Sequence, residues 1–253
     1  MPEDKEITET FWEHLDELRN CLFKILIAVG LFGILAFCFK NELFDIVLAP
    51  RRSSFITYRL LGIHGFSLHL MNTGLTEQFF IHMKTAMYAG LLLASPFVLY
   101  QIFRFVSPAL YSNEQRYAGR IVSSAYVMFI IGTLLNYFLI FPLTVHFLGT
   151  YQVNADVDNM LTIQSYMDTL ISMSLVMGVV FELPVVCWIL GLMGIINASF
   201  MKQYRRHAIV VILIVAAIIT PTTDVFTLLV VSLPIWLLYE GSILIVQLTG
   251  KKS

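Results

Sequence analysis

Charge is scarce in this sequence. Of 253 residues, 16 are Lys or Arg and 17 are Asp or Glu, so charged residues make up only 13%. A soluble domain is about a quarter charged and about half apolar. Here the apolar share is 58% and the mean hydropathy is +0.78. Too few charges remain to cover the surface of a water-soluble fold of this size, which excludes an ordinary soluble enzyme. The composition equally excludes a disordered or collagenous chain. Cysteine is also scarce. Cys21, Cys38 and Cys187 have no metal-ligand spacing, and an odd number excludes a simple disulfide framework. They are expected as small buried hydrophobes. A Gly-rich phosphate loop, a His-Glu-x-x-His pair, a Ser-His-Asp order in any credible context and a basic nucleic-acid patch are all missing. No catalytic residue, metal or cofactor is therefore expected.

What the chain has is long apolar runs. A helix crosses a bilayer in roughly twenty residues, at about 1.5 Å per residue. Spans are predicted at about 22–39, 79–103, 121–141 and 166–192. A final tract from 208 is divided by Thr220-Pro221-Thr222-Thr223-Asp224 into 208–219 and 225–247. The expected fold class is therefore all-α: one polytopic membrane domain over 1–253, with six spans, the fifth and sixth short. Residues 1–21 are an acidic leader, and Phe11, Leu15 and Leu18 in it recur at helical spacing with Leu22 at the start of the first span. Thr10 and Glu13 there suit a capping box. The leader precedes the first apolar run and no convincing cleavage site follows it, so that run is not read as a signal peptide. Residues 40–76 read as a mixed segment outside the hydrocarbon with room for short helices. Pro96 falls inside the second span, Pro142 is expected to close the third, and 143–165 reads as a loop.

The basic residues are unevenly placed. Lys5, Arg19, Lys24, Arg104, Arg116, Arg120, Lys202, Arg205, Arg206, Lys251 and Lys252 fall on the side that holds both termini; Lys40, Arg51, Arg52, Arg59 and Lys84 fall on the other. No Lys or Arg occurs from 121 through 201. The positive-inside rule then places both termini in the cytoplasm.

Against this background a few acids stand out. Glu182 lies deep in an apolar run, followed by Pro184, and an ionisable residue at that depth is a functional candidate. Glu17 and Glu114 lie on the basic, cytoplasmic face, where carboxylates suit a basic peptide. Glu240 is a second candidate for a buried acid. Asp224 is placed to cap the last helix. Pro50, Pro108, Pro142, Pro184 and Pro221 are expected to set local geometry.

Several motifs run in a recognisable order: His14-Leu15-Asp16-Glu17-Leu18-Arg19; Tyr100-Gln101, then Phe105 and Ser107-Pro108-Ala109-Leu110-Tyr111, then Glu114; Phe141-Pro142; Phe181-Glu182-Leu183-Pro184; Thr220-Pro221 with Asp224-Val225-Phe226; and Leu238-Tyr239-Glu240. Together they resemble the TatC family, the multispanning subunit of the twin-arginine protein translocase. The resemblance implies a six-helix, concave, glove-like fold. It implies a receptor core that exports folded proteins across the bacterial inner membrane, driven by proton motive force. It further implies that Glu17 and Glu114, with Arg19, Phe105 and Tyr111 beside them, engage paired arginines of signal peptides. Glu182 would meet small single-span subunits of the TatA/TatB type, and the working unit would be oligomeric. Two features depart from the family: Cys21 stands where a second basic residue is common, and Arg51-Arg52 follows Pro50 directly.

Overall fold

A computed structural model describes residues 3–63, 68–106, 118–152, 154, 160–220 and 224–250. The elements in order are α1 (Glu3–Cys38), α2 (Lys40–Val47), a 3-10 turn (Ala49–Arg51), α3 (Ile56–Leu60), β1 (Leu70–Met71), α4 (Glu77–Val106), α5 (Ala118–Leu135), a π-helical turn (Asn136–Ile140), α6 (Phe141–Thr150), β2 (Leu161–Thr162), α7 (Ile163–Val180), α8 (Leu183–Leu192), α9 (Ala198–Gln203), α10 (Arg205–Ile219) and α11 (Val225–Gly250). The architecture is all-α apart from one two-residue parallel pairing, Leu70 with Leu161 and Met71 with Thr162.

Among the described residues five helical stretches are long and apolar enough to cross a membrane: Leu15–Cys38, Glu77–Phe105, Gly119–Thr150, Ile163–Leu192 and Val225–Thr249. The fifth expected span falls on α10, whose 15 residues reach only about 22 Å against roughly 30 Å of hydrocarbon. The sixth differs from expectation. α11 has 26 residues and runs through Pro234 without ending. The leader differs too. α1 is helical from Glu3, so Thr10 lies inside the helix rather than at its start. The acids that open it favour a helix N-terminus electrostatically, which moves the start upstream.

Pro142 does not close the third span; helix continues to Thr150. A proline ring excludes the hydrogen bond to the carbonyl four residues back, which here belongs to Phe138. Two adjustments absorb the defect. The π turn widens the backbone just before the proline, with the Phe141 amide donating to Asn136. The Thr57 hydroxyl donates to the freed Phe138 carbonyl. The same logic keeps α4 intact at Pro96: the Ser95 hydroxyl donates to the Leu92 carbonyl at 2.7 Å. The expected loop 143–165 accordingly holds a helix and a strand, because the freed groups that would have ended the span find partners.

The chain divides into two compact units, Met1–Phe39 with Ala86–Tyr126, and Lys40–Thr85 with Val127–Ser253. In the first unit α1 passes α4 with backbones in contact. A Cβ added to Gly90 would lie 2.5 Å from the Gly33 nitrogen and 2.8 Å from the Val29 carbonyl, so only glycine fits. The other faces of α1 carry exposed Leu22, Phe23, Leu26, Ile27 and Ile34, the pattern of a helix bathed in lipid. Cys21 is buried, Cys187 is half-buried and Cys38 is exposed, so the last departs from the buried role expected of it.

The second unit has two main apolar clusters. One gathers Val47, Phe55, Tyr58, Phe141, Tyr166 and Leu170. The other gathers Ile140, Met173, Met177, Phe181, Ala216 and Val231. Phenol groups tie the first together by satisfying carbonyls that α2 leaves open at its C-terminal end. Tyr137 donates to Ile46 at 2.7 Å and Tyr166 to Val47 at 3.1 Å. The Tyr58 hydroxyl lies 2.9 Å from the carbonyl of buried Pro50 and 3.0 Å from that of buried Pro142.

Candidate functional site

Glu182 sits where one apolar run changes helix. Pro184 cannot donate, so α7 ends at Val180 and α8 begins at Leu183 with the buried proline in its first turn. The intervening turn is tight. The Glu182 amide donates to Val179 at 3.0 Å, and the Glu182 carbonyl accepts from Val186 at 2.9 Å. The backbone thus stays helical in direction while the Glu182 side chain sits at the junction, half-buried. Its Oε1 is buried and has no hydrogen-bond partner among the described residues.

One face of α7 leads to that carboxyl. Ser174, Gly178 and Glu182 follow at intervals of four, the helical repeat. Across from them lie Phe129, Gly132, Thr133 and Asn136. The Asn136 amide donates to the Ser174 hydroxyl at 2.7 Å, with both residues fully buried. A Cβ on Gly132 would lie 2.6 Å from the Met177 carbonyl, and one on Gly178 would lie 2.7 Å from the Phe129 ring. The two glycines let the helices meet one turn before Glu182. Thr133 Oγ1 and Asn136 Oδ1 are also buried without partners among the described residues. Sequence reasoning missed Asn136 and Ser174. Their only signal was polarity inside apolar runs, too weak in a bilayer helix to single out a small polar residue.

Glu17 and Arg19 lie on α1 in the first unit, both exposed. The Arg19 guanidinium is 3.3 Å from Asp16 one turn earlier, while Glu17 has interactions of its own. Phe105, at the end of α4, is half-buried. Pro108, Tyr111, Glu114 and Pro221 lie outside the described residues. Glu240 is not a lone buried acid: Arg205 of α10 reaches its Oε2 at 2.6 Å, which compensates the charge. Asp224 caps α11 by accepting the Thr227 amide at 2.6 Å. Lys84 meets Asp168 at 2.6 Å, joining the second turns of α4 and α7. Asp168 was not singled out in the sequence, because a partner 84 positions away leaves no local pattern. Among the described residues no three His, Cys, Asp or Glu side chains group in a way that could hold a metal.

Comparison with known proteins identifies the lineage. The family model described as Sec-independent protein translocase protein (TatC) matches residues 13–234. The chain belongs to the TatC family. It is similar to the Sec-independent protein translocase protein TatC of Desulforapulum autotrophicum, 36% identical over 98% of this chain and 88% of that one. The Blattabacterium protein of the same name is 33% identical over 96% of this chain and 97% of its own. A chloroplastic relative from Arabidopsis thaliana is 31% identical over 99% of this chain and 69% of its own. A crystal structure of the twin arginine translocase receptor TatC superposes with a TM-score of 0.77 at 32% identity, covering 93% of this chain and 99% of that one. A second, in DDM, gives 0.76 at 31%. The TatC family is non-catalytic. The chain is a multi-pass membrane protein with the TatC-type all-α fold and a part in Sec-independent protein transport.

Proposed function

We propose that the chain is the receptor subunit of a twin-arginine translocase in a bacterial inner membrane, recognising Arg-Arg signal peptides and passing folded cargo across at the expense of proton motive force. The observation that carries this reading is family membership over residues 13–234. Exposed Glu17, on α1 near the start of its apolar stretch, and Glu114, later in the sequence, supply two carboxylates for two guanidiniums. Arg19, Phe105 and Tyr111 frame that surface. Both termini face the cytoplasm, following the distribution of Lys and Arg. The whole chain acts as one membrane domain, with α10 as a short fifth span beside the longer α11 in a six-helix, glove-like arrangement.

Glu182 is the contact for a small single-span subunit of the TatA/TatB type. A buried carboxyl oxygen with no partner in the chain's described residues supports this, since a polar group in hydrocarbon gains by bonding across helices. Such bonds average about 0.6 kcal/mol and reach about 1.7, a scale that suits reversible assembly. No single chain of this size encloses a folded protein, so the working unit is oligomeric. Solubilising native membranes mildly and isolating the tagged chain tests the partner reading. Co-purification of a single-span protein with an amphipathic tail is expected; a chain recovered alone, yet active in export, contradicts it.

A further inference from the structure

The seam between α5 and α7 holds a polar pair to which none of these roles assigns a task. Along it, neighbours pair Gly132 with Phe181, Thr133 with Gly178 and Asn136 with Ser174, so the helices run antiparallel. The Asn136 amide donates to the Ser174 hydroxyl at 2.7 Å, and among the described residues this is the one side-chain hydrogen bond across the seam. Asn136 opens the π turn, and the residues after it are held by other elements: Tyr137 donates to the Ile46 carbonyl, and Thr57 to that of Phe138. Both partners of the Asn136–Ser174 bond are fully buried, yet Asn136 Oδ1 accepts nothing among the described residues. A half-satisfied amide adds less stability than an apolar side chain would. What it adds is discrimination between arrangements, the role of a single polar residue in an otherwise apolar helix interface.

Shape alone leaves the register of this seam open. Ser174 and Gly178 are both small and lie one turn apart on α7. Sliding α7 by that turn, about 5.4 Å, would seat Ser174 beside Phe129 and Thr133 where Gly178 now packs. Close packing between helices in lipid rewards either fit. The same slide would set Asn136 against Leu170, which is apolar and 2% exposed, and strand the amide. It would also carry Glu182 one turn along α5.

We propose that the Asn136–Ser174 bond locks the register of α5 on α7 and so sets the depth at which Glu182 meets its single-span partner. Asn136 is a positioning residue: it acts through the placement of Glu182 and touches no partner itself. The consequence for the partner rests on the reading of Glu182 given above, whereas the lock itself does not.

Spin labels at Val127→Cys and Ser172→Cys, both exposed positions, report the register by double electron–electron resonance in the full chain with its three cysteines changed to alanine. With Asn136 and Ser174 intact, one narrow distance is expected. Asn136→Leu lifts the penalty on the slipped register, which should gain about tenfold or more and show as a second distance about 5 Å away. Ser174→Ala removes a single oxygen, disturbs folding least, and should shift the distribution the same way. Asn136→Leu should also lower recovery of the single-span partner in pull-downs. Exchanging the pair, Asn136→Ser with Ser174→Asn, should restore both the single distance and the partner. One unshifted distance in both Asn136→Leu and Ser174→Ala overturns the lock, as does a double distribution with the pair intact. A shifted register with the partner recovered in full overturns the positioning role. Full recovery of the partner by Glu182→Ala would instead sink the reading of Glu182, and the distances would still judge the lock.

Discussion

Replacing Tyr58 with phenylalanine removes one oxygen atom from the centre of the second unit. The side chain is fully buried, and its hydroxyl lies within 3.0 Å of two carbonyls, those of Pro50 and Pro142. The ring contacts with Phe55 and the apolar cluster survive the change. A buried hydrogen bond contributes about 0.5–1.5 kcal/mol net, and an acceptor left buried without its donor costs about 1–3 kcal/mol. The expected loss is therefore about 2 kcal/mol, and with about 2–4 °C of Tm per kcal/mol in a chain of this length a fall of about 6 °C. Scanning fluorimetry in detergent at one fixed scan rate measures it, since membrane proteins commonly unfold irreversibly. The same hydroxyl gives a pH signature. Burial holds the Tyr58 phenol above its ordinary range. Above a pH of about 10 the unfolded chain releases this proton while the folded chain keeps it, so the folded state binds more protons and stability falls as pH rises. The stability lead of wild type over Tyr58→Phe is complete below that pH and shrinks above it. Equal Tm values for the two proteins at neutral pH, or a lead that grows in alkali, would refute the reasoning.

Gly132→Ala should destabilise by about 1–3 kcal/mol, less up to about 1 kcal/mol of helix propensity gained, because its new methyl meets the Met177 backbone carbonyl. Gly178→Ala meets the Phe129 ring instead, so adding Phe129→Leu should restore its Tm, whereas no single side-chain trim should rescue Gly132→Ala. Glu182→Ala should leave Tm within a few degrees, since its buried oxygen bonds nothing described in the chain, but should lower recovery of the single-span partner in pull-downs. Glu240→Gln should cost under about 1 kcal/mol after solvent screening, and high salt should reduce the difference from wild type.

Several of these residues are legible without coordinates and several are not. The apolar runs and the lone acid at 182 stand out because hydropathy is a local property, read one window at a time. The Asp224 cap is legible for the same reason: donor and acceptor lie three residues apart. Pro142 misleads because its meaning depends on Thr57, far off in the chain, which takes over the carbonyl the ring strands. The pairing of Leu70–Met71 with Leu161–Thr162 has too few residues to show alternation. Glu240 reads as an isolated acid only until Arg205 is seen beside it. Thr10 satisfies a local capping pattern that the helix-favouring residues before it override. At the junction, the sequence marks Glu182 by its charge, but the open oxygen and the glycine contact that precedes it follow from packing.

The central claim is that Glu17 and Glu114 read the paired arginines. A twin-arginine signal peptide carrying a photoreactive group beside its arginines should cross-link to the wild-type chain, and Glu17→Ala and Glu114→Ala should each reduce the yield about tenfold or more, the scale of a charge-assisted bond of about 1.5–3 kcal/mol. Glu182→Ala should cross-link at the wild-type level. Undiminished cross-linking in both the Glu17 and Glu114 variants would contradict the account.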